Sequence, residues 1–166
     1  MEINLPKRKS TRLKEYDYSN TGYYFVTICI KNRLPLLGKI LNSKLLLSNE
    51  GLIVNTYISS ISKIYNNIQL DEYVIMPNHI HMILIIHNKE KVTLSSAIQH
   101  FKGKVTKELG YSIWQKLFHE HIIRDEKTYY IIKQYIQNNV VNWEEDRYFE
   151  IADEHCSPLQ KYKKPF

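Results

Sequence analysis

The side chains best suited to chemistry stand in one short stretch, Tyr73-Val74-Ile75-Met76-Pro77-Asn78-His79-Ile80-His81-Met82-Ile83-Leu84-Ile85-Ile86. Two apolar runs meet at Pro77-Asn78, which reads as two strands joined by a turn. Successive side chains of a strand alternate faces, so His79 and His81 project from one side of the sheet and Ile80 from the other. Two adjacent imidazoles at the start of a buried strand are what a divalent cation needs. The plainer alternative is a pair of polar residues beside a turn. The apolar flanks weigh against it, because an imidazole entering a core strand requires a partner.

Further along, Tyr135 and Asn139 are four residues apart and would share a helix face, with Ile131 one turn before them. Taken alone, Tyr135 could be a half-buried packing residue and Asn139 a polar residue at a helix end. Laid over the sheet face that carries the histidines, they acquire a chemical meaning. Two imidazoles and a carboxamide oxygen are borderline ligands that suit Mn²⁺, Co²⁺ or Zn²⁺ and tolerate Mg²⁺. A metal held that way keeps positions for phosphate oxygens and acts as a Lewis acid on a phosphodiester. A phenol with a pKa of about 10 is a poor nucleophile when free. Polarisation of the phosphorus makes covalent catalysis by it feasible. Tyr129 and Tyr130 are rival nucleophiles on the same helix. No acidic pair sits beside His79, and the sequence has no Gly-rich phosphate loop, no G-x-S-x-G elbow and no H-E-x-x-H.

The elements that must position these groups follow from periodicity. Gly22 opens a strand, Tyr23 to Ile30, that is β-branched and aromatic almost throughout and suits a centre covered on both faces. Asn32-Arg33 and Pro35 end it, and a short irregular stretch follows. Val54, Tyr57, Ile58, Ile61 and Tyr65 recur at helical spacing, with Ser48 or Asn49 as the cap. Strands at Ile68–Met76 and from His79 to about Ile86 come next, then the polar loop His87-Asn88-Lys89-Glu90. Thr93 caps a helix whose stripe is Leu94, Ile98, Phe101, Val105 and Leu109, with Gly110 just past its end. A fourth strand is expected from Leu117 to Ile123, including His119 and His121, which read as strand-pairing residues in preference to partners that orient the site. Asp125 starts a last helix, Glu126 to about Val141, with Tyr129, Ile132, Ile136 and Val140 inward. Strand, helix, strand, strand, helix, strand is the ferredoxin-like α+β pattern, an antiparallel sheet here extended by a C-terminal helix.

A length of 166 residues, with 43% hydrophobic and 24% charged, predicts one globular domain across 1–166. Residues 1–20 form a basic N-terminal arm and 144–166 a charged tail, with no internal repeat or boundary. Lys plus Arg number 23 against 17 Asp plus Glu, a net charge of +6, which is compatible with a polyanionic partner without demanding one. Cys29 and Cys156 are the only cysteines and lie too far apart for a C-x-x-C site, which argues against a disulfide framework or thiolate zinc. The polar, basic N-terminus is not a secretion signal, and the longest apolar run is too short to span a bilayer. A soluble, cytoplasmic, nucleoid-associated protein is expected.

The sequence resembles the single-tyrosine HUH (His-hydrophobic-His) transposases, most closely the REP-associated tyrosine transposase branch of the IS200-like proteins. The resemblance runs nearly end to end. It is carried by Arg8-Lys9-Ser10-Thr11-Arg12-Leu13-Lys14-Glu15-Tyr16-Asp17-Tyr18, Tyr24-Phe25-Val26-Thr27-Ile28-Cys29, Met76-Pro77-Asn78-His79-Ile80-His81, Trp114-Gln115, His119-Glu120-His121-Ile122-Ile123-Arg124 and Tyr135-Ile136-Gln137-Asn138-Asn139. It implies metal-dependent cleavage and rejoining of single-stranded or hairpin DNA through a covalent phosphotyrosine. Carried over residue by residue, His79 and His81 match the family's metal ligands, Asn139 the third ligand and Tyr135 the nucleophile, with Mg²⁺ or Mn²⁺ as cofactor. The chain departs from the branch where Val140, not proline, follows Asn139; a proline there would help end the helix. Lys7, Arg8, Lys9, Arg12, Arg33, Lys102, Lys104 and Arg124 are candidate phosphate-backbone contacts. A monomer or a homodimer fits the resemblance. A domesticated protein of the same fold that binds nucleic acid without cutting is the alternative, and a replication or conjugation nickase is a more distant one.

Overall fold

The computed structural model of the protein describes residues 21–88 and 92–143. The basic-arm candidates Lys7, Arg8, Lys9 and Arg12 and the charged tail lie outside the described residues. Strand β1 (Gly22–Cys29) is followed by a hairpin of β2 (Gly38–Leu41) and β3 (Lys44–Leu47). Then come helix α1 (Asn49–Ser59), the single turn α2 (Ile61–Ile64), β4 (Ile68–Met76) and β5 (His79–Ile86). Helix α3 (Leu94–Leu109), β6 (His119–Ile123) and helix α4 (Glu126–Asn138) complete the described chain. Four strands form one sheet in the order β4-β5-β1-β6, every neighbour antiparallel. That is the ferredoxin-like arrangement expected from the element order.

Strand parity divides the core into two layers. Tyr24, Val26 and Ile28 of β1 and Ile80, Met82, Leu84 and Ile86 of β5 face α1 and α3, whose Val54, Ile58, Ile98, Phe101 and Val105 complete the larger cluster. Phe25, Ile83 and Ile123 face the other way and meet Ile132 and Ile136 of α4. All eight residues of β5 are buried, which accounts for its unbroken apolar character.

The helix boundaries obey local chemistry. Ser48 caps α1 by accepting from the Gly51 amide at 3.0 Å, and its hydroxyl donates to the Leu36 carbonyl at 2.6 Å. Thr93 and Ser96 form a reciprocal capping box on α3, and Gly110 closes that helix at φ +79°.

Four expectations are corrected. The irregular stretch after Pro35 contains the β2–β3 hairpin, whose turn residues Asn42 and Ser43 adopt φ +51° and +56° without a glycine to announce them. The helix drawn through Tyr65 breaks at Ser60, whose hydroxyl donates to the Tyr57 carbonyl at 2.8 Å and competes with the helical ladder. The last helix ends at Asn138, not near Val141, and the fourth strand begins at His119, not Leu117.

Gly51 lets α1 approach the hairpin closely: a Cβ there would sit 2.0 Å from the Leu37 carbonyl oxygen. Alanine in an open helix position gains up to about 1 kcal/mol over glycine. Here Gly51→Ala is expected to destabilise instead, lowering the urea midpoint, whereas Gly103→Ala, with nothing within 4 Å of the added methyl, raises it.

Candidate functional site

Register brings the sequence-predicted groups together. His81 pairs opposite Thr27 on one side and Val74 on the other, and His79 opposite Cys29 and Met76. Directly opposed residues of an antiparallel pair point to the same face, so Thr27 stands beside His81 on the layer that α4 covers. Both imidazoles are completely buried, with ring centroids 4.4 Å apart.

Each ring is held through Nδ1. Nδ1 of His79 lies 2.7 Å from Oδ1 of Asn78. A carboxamide oxygen only accepts, so Nδ1 carries the proton and the lone pair of His79 is on Nε2. Nδ1 of His81 lies 2.8 Å from the Thr27 hydroxyl and Nε2 lies 3.1 Å from the Tyr135 hydroxyl. The tautomer that matches His79 has Nδ1–H donating to Thr27 and Nε2 accepting from Tyr135. Aromatic rings shield both histidines: Phe25 stacks on His81 at 5.2 Å and Trp143 on His79 at 6.1 Å.

Burial favours the neutral ring. It pushes His81 down to about 3 from an ordinary value of 6.5. His79 is held well below its ordinary value by burial first, then by the neighbouring His81 and by the positive charge of Arg33. Neutral imidazoles with oriented Nε2 atoms are in the state a metal ligand requires.

Helix α4 brings in Tyr135 and Asn139. Its N-cap Asp125 accepts from the Thr128 amide at 2.8 Å. Ile132 and Ile136 anchor it on the sheet, and Tyr135 packs against the same cluster, edge-on to Phe25 at 6.2 Å. Asn139 is the C-cap residue, still helical at φ −60° and ψ −40°, so the helix keeps its last turn without a proline at 140. The Asn139 side chain is buried and its Oδ1 accepts no hydrogen bond among the described residues. A buried acceptor left that way is costly unless something else satisfies it. Two neutral imidazoles and this orphaned amide oxygen fit a borderline or hard divalent cation. Among the described residues no group of three or more His, Cys, Asp or Glu side chains assembles.

The remaining candidates are distributed differently. Tyr129 donates to Asp71 at 2.8 Å and Tyr130 is exposed, whereas Tyr135 is the tyrosine hydrogen-bonded to His81. Lys102 is engaged internally, its ammonium donating to the Gln115 carbonyl at 2.6 Å. Lys104 and Arg124 are exposed. Arg33 lies in the turn after β1, and its positive charge adds to the lowering of the His79 pKa. His119 and His121 pair opposite Thr27 and Phe25 and so share the face of the site, two strands from His81. Sequence reasoning did not assign roles to Thr27, Asn78 or Trp143. For Thr27 a signal existed, since it is the one aliphatic hydroxyl in a strand of otherwise apolar and aromatic residues and falls opposite His81 once the register is known.

No family model matches the chain. An uncharacterized protein of Haemophilus influenzae (strain ATCC 51907 / DSM 11121 / KW20 / Rd) is 37% identical to it over 167 residues, spanning 86% of this chain and 93% of that protein. A solved structure of a REP-associated tyrosine transposase bound to a REP hairpin superposes with a TM-score of 0.62 at 25% identity, covering 79% of this chain and 74% of its own. No helix among the described residues is long and apolar enough to cross a membrane.

The buried imidazoles fix the acid response. Unfolded histidines take up protons as pH falls through about 6.5, while folded His81 stays neutral until about 3. The unfolded state therefore binds more protons across that window, and metal-free stability falls as pH drops below about 6.5. The expected slope approaches about 1.4 kcal/mol per pH unit for each such ring. Urea titrations between pH 8 and 5 measure it, and His81→Asn is expected to flatten the curve.

Proposed function

The chain belongs to the REP-associated tyrosine transposase-like family, and from that premise we propose that it cleaves and rejoins DNA strands through a covalent bond to Tyr135. The observation that carries this reading is the 3.1 Å contact between the Tyr135 hydroxyl and Nε2 of His81, inside the buried pocket that also contains His79. The residue named as nucleophile and His81 lie 54 positions apart in sequence, and they share this hydrogen bond.

His79, His81 and Asn139 are the residues that would hold a divalent cation, Mg²⁺ or Mn²⁺. When bound, that cation would withdraw charge from the phosphodiester and stabilise the developing negative charge. Everything else falls to the protein. Thr27 and Asn78 fix the rings so that each Nε2 points away from its Nδ1 anchor. Phe25 and Trp143 keep water off the rings, which strengthens polar interactions inside. Helix α4 carries the phenol to the phosphorus. Attack by the tyrosine oxygen forms the P–O bond to Tyr135 and breaks the bond to the 3′ oxygen. The phenol loses its proton and the departing 3′ oxygen gains one. Rejoining runs the same exchange backwards with another 3′-OH.

The substrate on this reading is single-stranded or hairpin DNA. Sequence-independent phosphate contacts would come from Arg33, Lys104 and Arg124, with the basic arm at Lys7, Arg8, Lys9 and Arg12 as a further source. The half-buried Lys102 contributes less, because its ammonium already serves two carbonyls.

The test uses single-stranded oligonucleotides tiled across the DNA flanking the protein's own gene, incubated with protein and Mn²⁺. A covalent protein–DNA adduct is expected from the wild type and none from Tyr135→Phe, while both retain DNA binding. Binding without an adduct in any oligonucleotide would leave a non-cleaving DNA-binding protein. A separate measurement addresses the ligands. The Nε2 lone pair of His81 can serve the Tyr135 hydroxyl or a metal, but not both. Calorimetry with Mn²⁺ alone is expected to give Tyr135→Phe equal or tighter affinity than wild type. Asn139→Ala is expected to weaken affinity by roughly 10- to 100-fold.

A further inference from the structure

The described tyrosines use their hydroxyls in two ways. Tyr57, Tyr73, Tyr111 and Tyr129 donate to an acidic or amide side chain, and Tyr65 and Tyr135 meet a histidine. Tyr23 and Tyr130 differ. They are 42% and 55% exposed, and neither hydroxyl makes a hydrogen bond among the described residues. What orders them is ring contact. Tyr129 meets the Tyr23 ring at 5.5 Å and the Tyr130 ring at 5.3 Å, with interplanar angles of 73° and 68°. Tyr129 is itself fixed by its hydrogen bond to Asp71 and by packing against the cluster under α4, with Nζ of Lys133 5.4 Å from its centroid.

A single exposed tyrosine needs no explanation, since apolar atoms cover much of any protein surface. Two exposed rings posed by a third that is anchored make a preformed surface. An edge-to-face contact covers at most one face of a ring, so Tyr23 and Tyr130 each keep a face with no aromatic neighbour among the described residues.

The position of this surface connects it to the histidine pocket. Tyr23 shares its sheet face with Phe25, which stacks on His81, and with Thr27, which is hydrogen-bonded to His81. Four residues of strand put Tyr23 about 13 Å from Thr27. His121, exposed and opposite Phe25, lies on that face between them. The row formed by Tyr129, Lys133 and Gln137 joins α4 to β4, which leaves the β6 side as the approach. Arg124 and Lys127 are exposed beside the rings, but so are Asp125 and Glu126, so the local charge is balanced. Attraction to phosphate does not single out this surface. Stacking does, because every base has an aromatic face and its contact with a ring needs no charge.

We propose that Tyr23 and Tyr130, posed by Tyr129, form a platform on which unpaired bases of the DNA stack, a few nucleotides from the phosphate attacked by Tyr135. The inference rests on the function proposed above and deepens it by giving the chain a reason to select single strands. Bases inside a duplex are already stacked on their neighbours and offer no free face. The role differs from that of Lys104 or Arg124, which would meet phosphates of paired and unpaired DNA alike.

The experiment couples the rings to individual bases. Tyr135→Phe protein is titrated with the single-stranded oligonucleotide that gives an adduct with wild type or, if none does, with the tightest-binding of the tiled set. Abasic sites are then walked along that strand. Loss of a base at one or two positions is expected to weaken binding roughly 5- to 150-fold. With Tyr23→Leu and Tyr130→Ala added, the same abasic strands are expected to bind like the intact one. With Tyr23→Phe and Tyr130→Phe the penalty is expected to persist, since stacking needs the ring and not the hydroxyl. The salt dependence should be the same for all three proteins, because no phosphate contact changes, and so should their affinity for a fully paired duplex. Equal abasic penalties with and without the rings, or loss of the penalty in the phenylalanine pair, would overturn the platform, and an adduct from wild type would then still uphold the transposase reading. A ring-dependent penalty without an adduct from any strand would uphold the platform and overturn cleavage. No binding of any single strand would overturn both. If the Leu and Ala pair does not fold, Tyr130→Ala alone decides, because it leaves the Tyr23–Tyr129 contact in place and is expected to remove the penalty at one position.

Discussion

Strand β5 must be buried on both faces and must also carry two imidazoles on one of them. A protonated imidazole could not stay there, so both rings are neutral, and a neutral ring in a dry pocket needs its one N–H satisfied. Asn78 and Thr27 meet that demand, each through Nδ1. The outcome is not only stability. Satisfying Nδ1 from within the sheet leaves Nε2 as the outward atom of each ring, and the outward direction is where α4 lies. Burial, tautomer and aim are thus one constraint seen three ways.

The helix that answers this constraint stands on a narrow apolar base. Ile132 and Ile136 are its fully buried residues, each contributing on the order of 1.5–3 kcal/mol by leaving water. Along its flank, Tyr129, Lys133 and Gln137 recur every four residues and meet the edge strand β4. Tyr129 donates to Asp71 at 2.8 Å, Lys133 to Asp71 at 3.5 Å, and Gln137 to Glu72 at 2.9 Å. The Lys133 pair is partly exposed and contributes little by itself. Its value is geometric. Two isoleucines hold a helix against a sheet but tolerate rotation about its axis, whereas a polar row at a strand irregularity between Leu70 and Glu72 selects one rotation. That rotation turns Tyr135 toward His81 and Asn139 into the core.

Much of this was legible in the residues. Parity alone put His79 and His81 on one face, and helical spacing alone joined Tyr135 to Asn139. Capping chemistry at Ser48, Thr93, Gly110 and Asp125 marked helix ends correctly, because those signals act within a few residues. What stayed hidden depends on partners distant in sequence. Thr27 gains its meaning only from the register that sets it opposite His81, fifty-four residues away. Trp143 gains its meaning only from the path of the chain after α4. The β2–β3 hairpin was missed for the opposite reason: its turn is local but is built from Asn42 and Ser43 in a conformation usually signalled by glycine. Arg33 was visible merely as a basic residue, since a positive φ cannot be read from an arginine.

The contact between Tyr135 and His81 bears on how such a site could be controlled. On the proposed function, the phenol oxygen must approach phosphorus with a lone pair forward, and in the metal-free protein it donates its hydrogen to Nε2 of His81. A cation taking that lone pair would remove the acceptor from the phenol. The ring is too tightly held by Thr27 and Phe25 to offer another nitrogen, so the phenol is the partner that gives way. On that reading, filling the site with a cation would also free the phenol, because one lone pair cannot serve two partners.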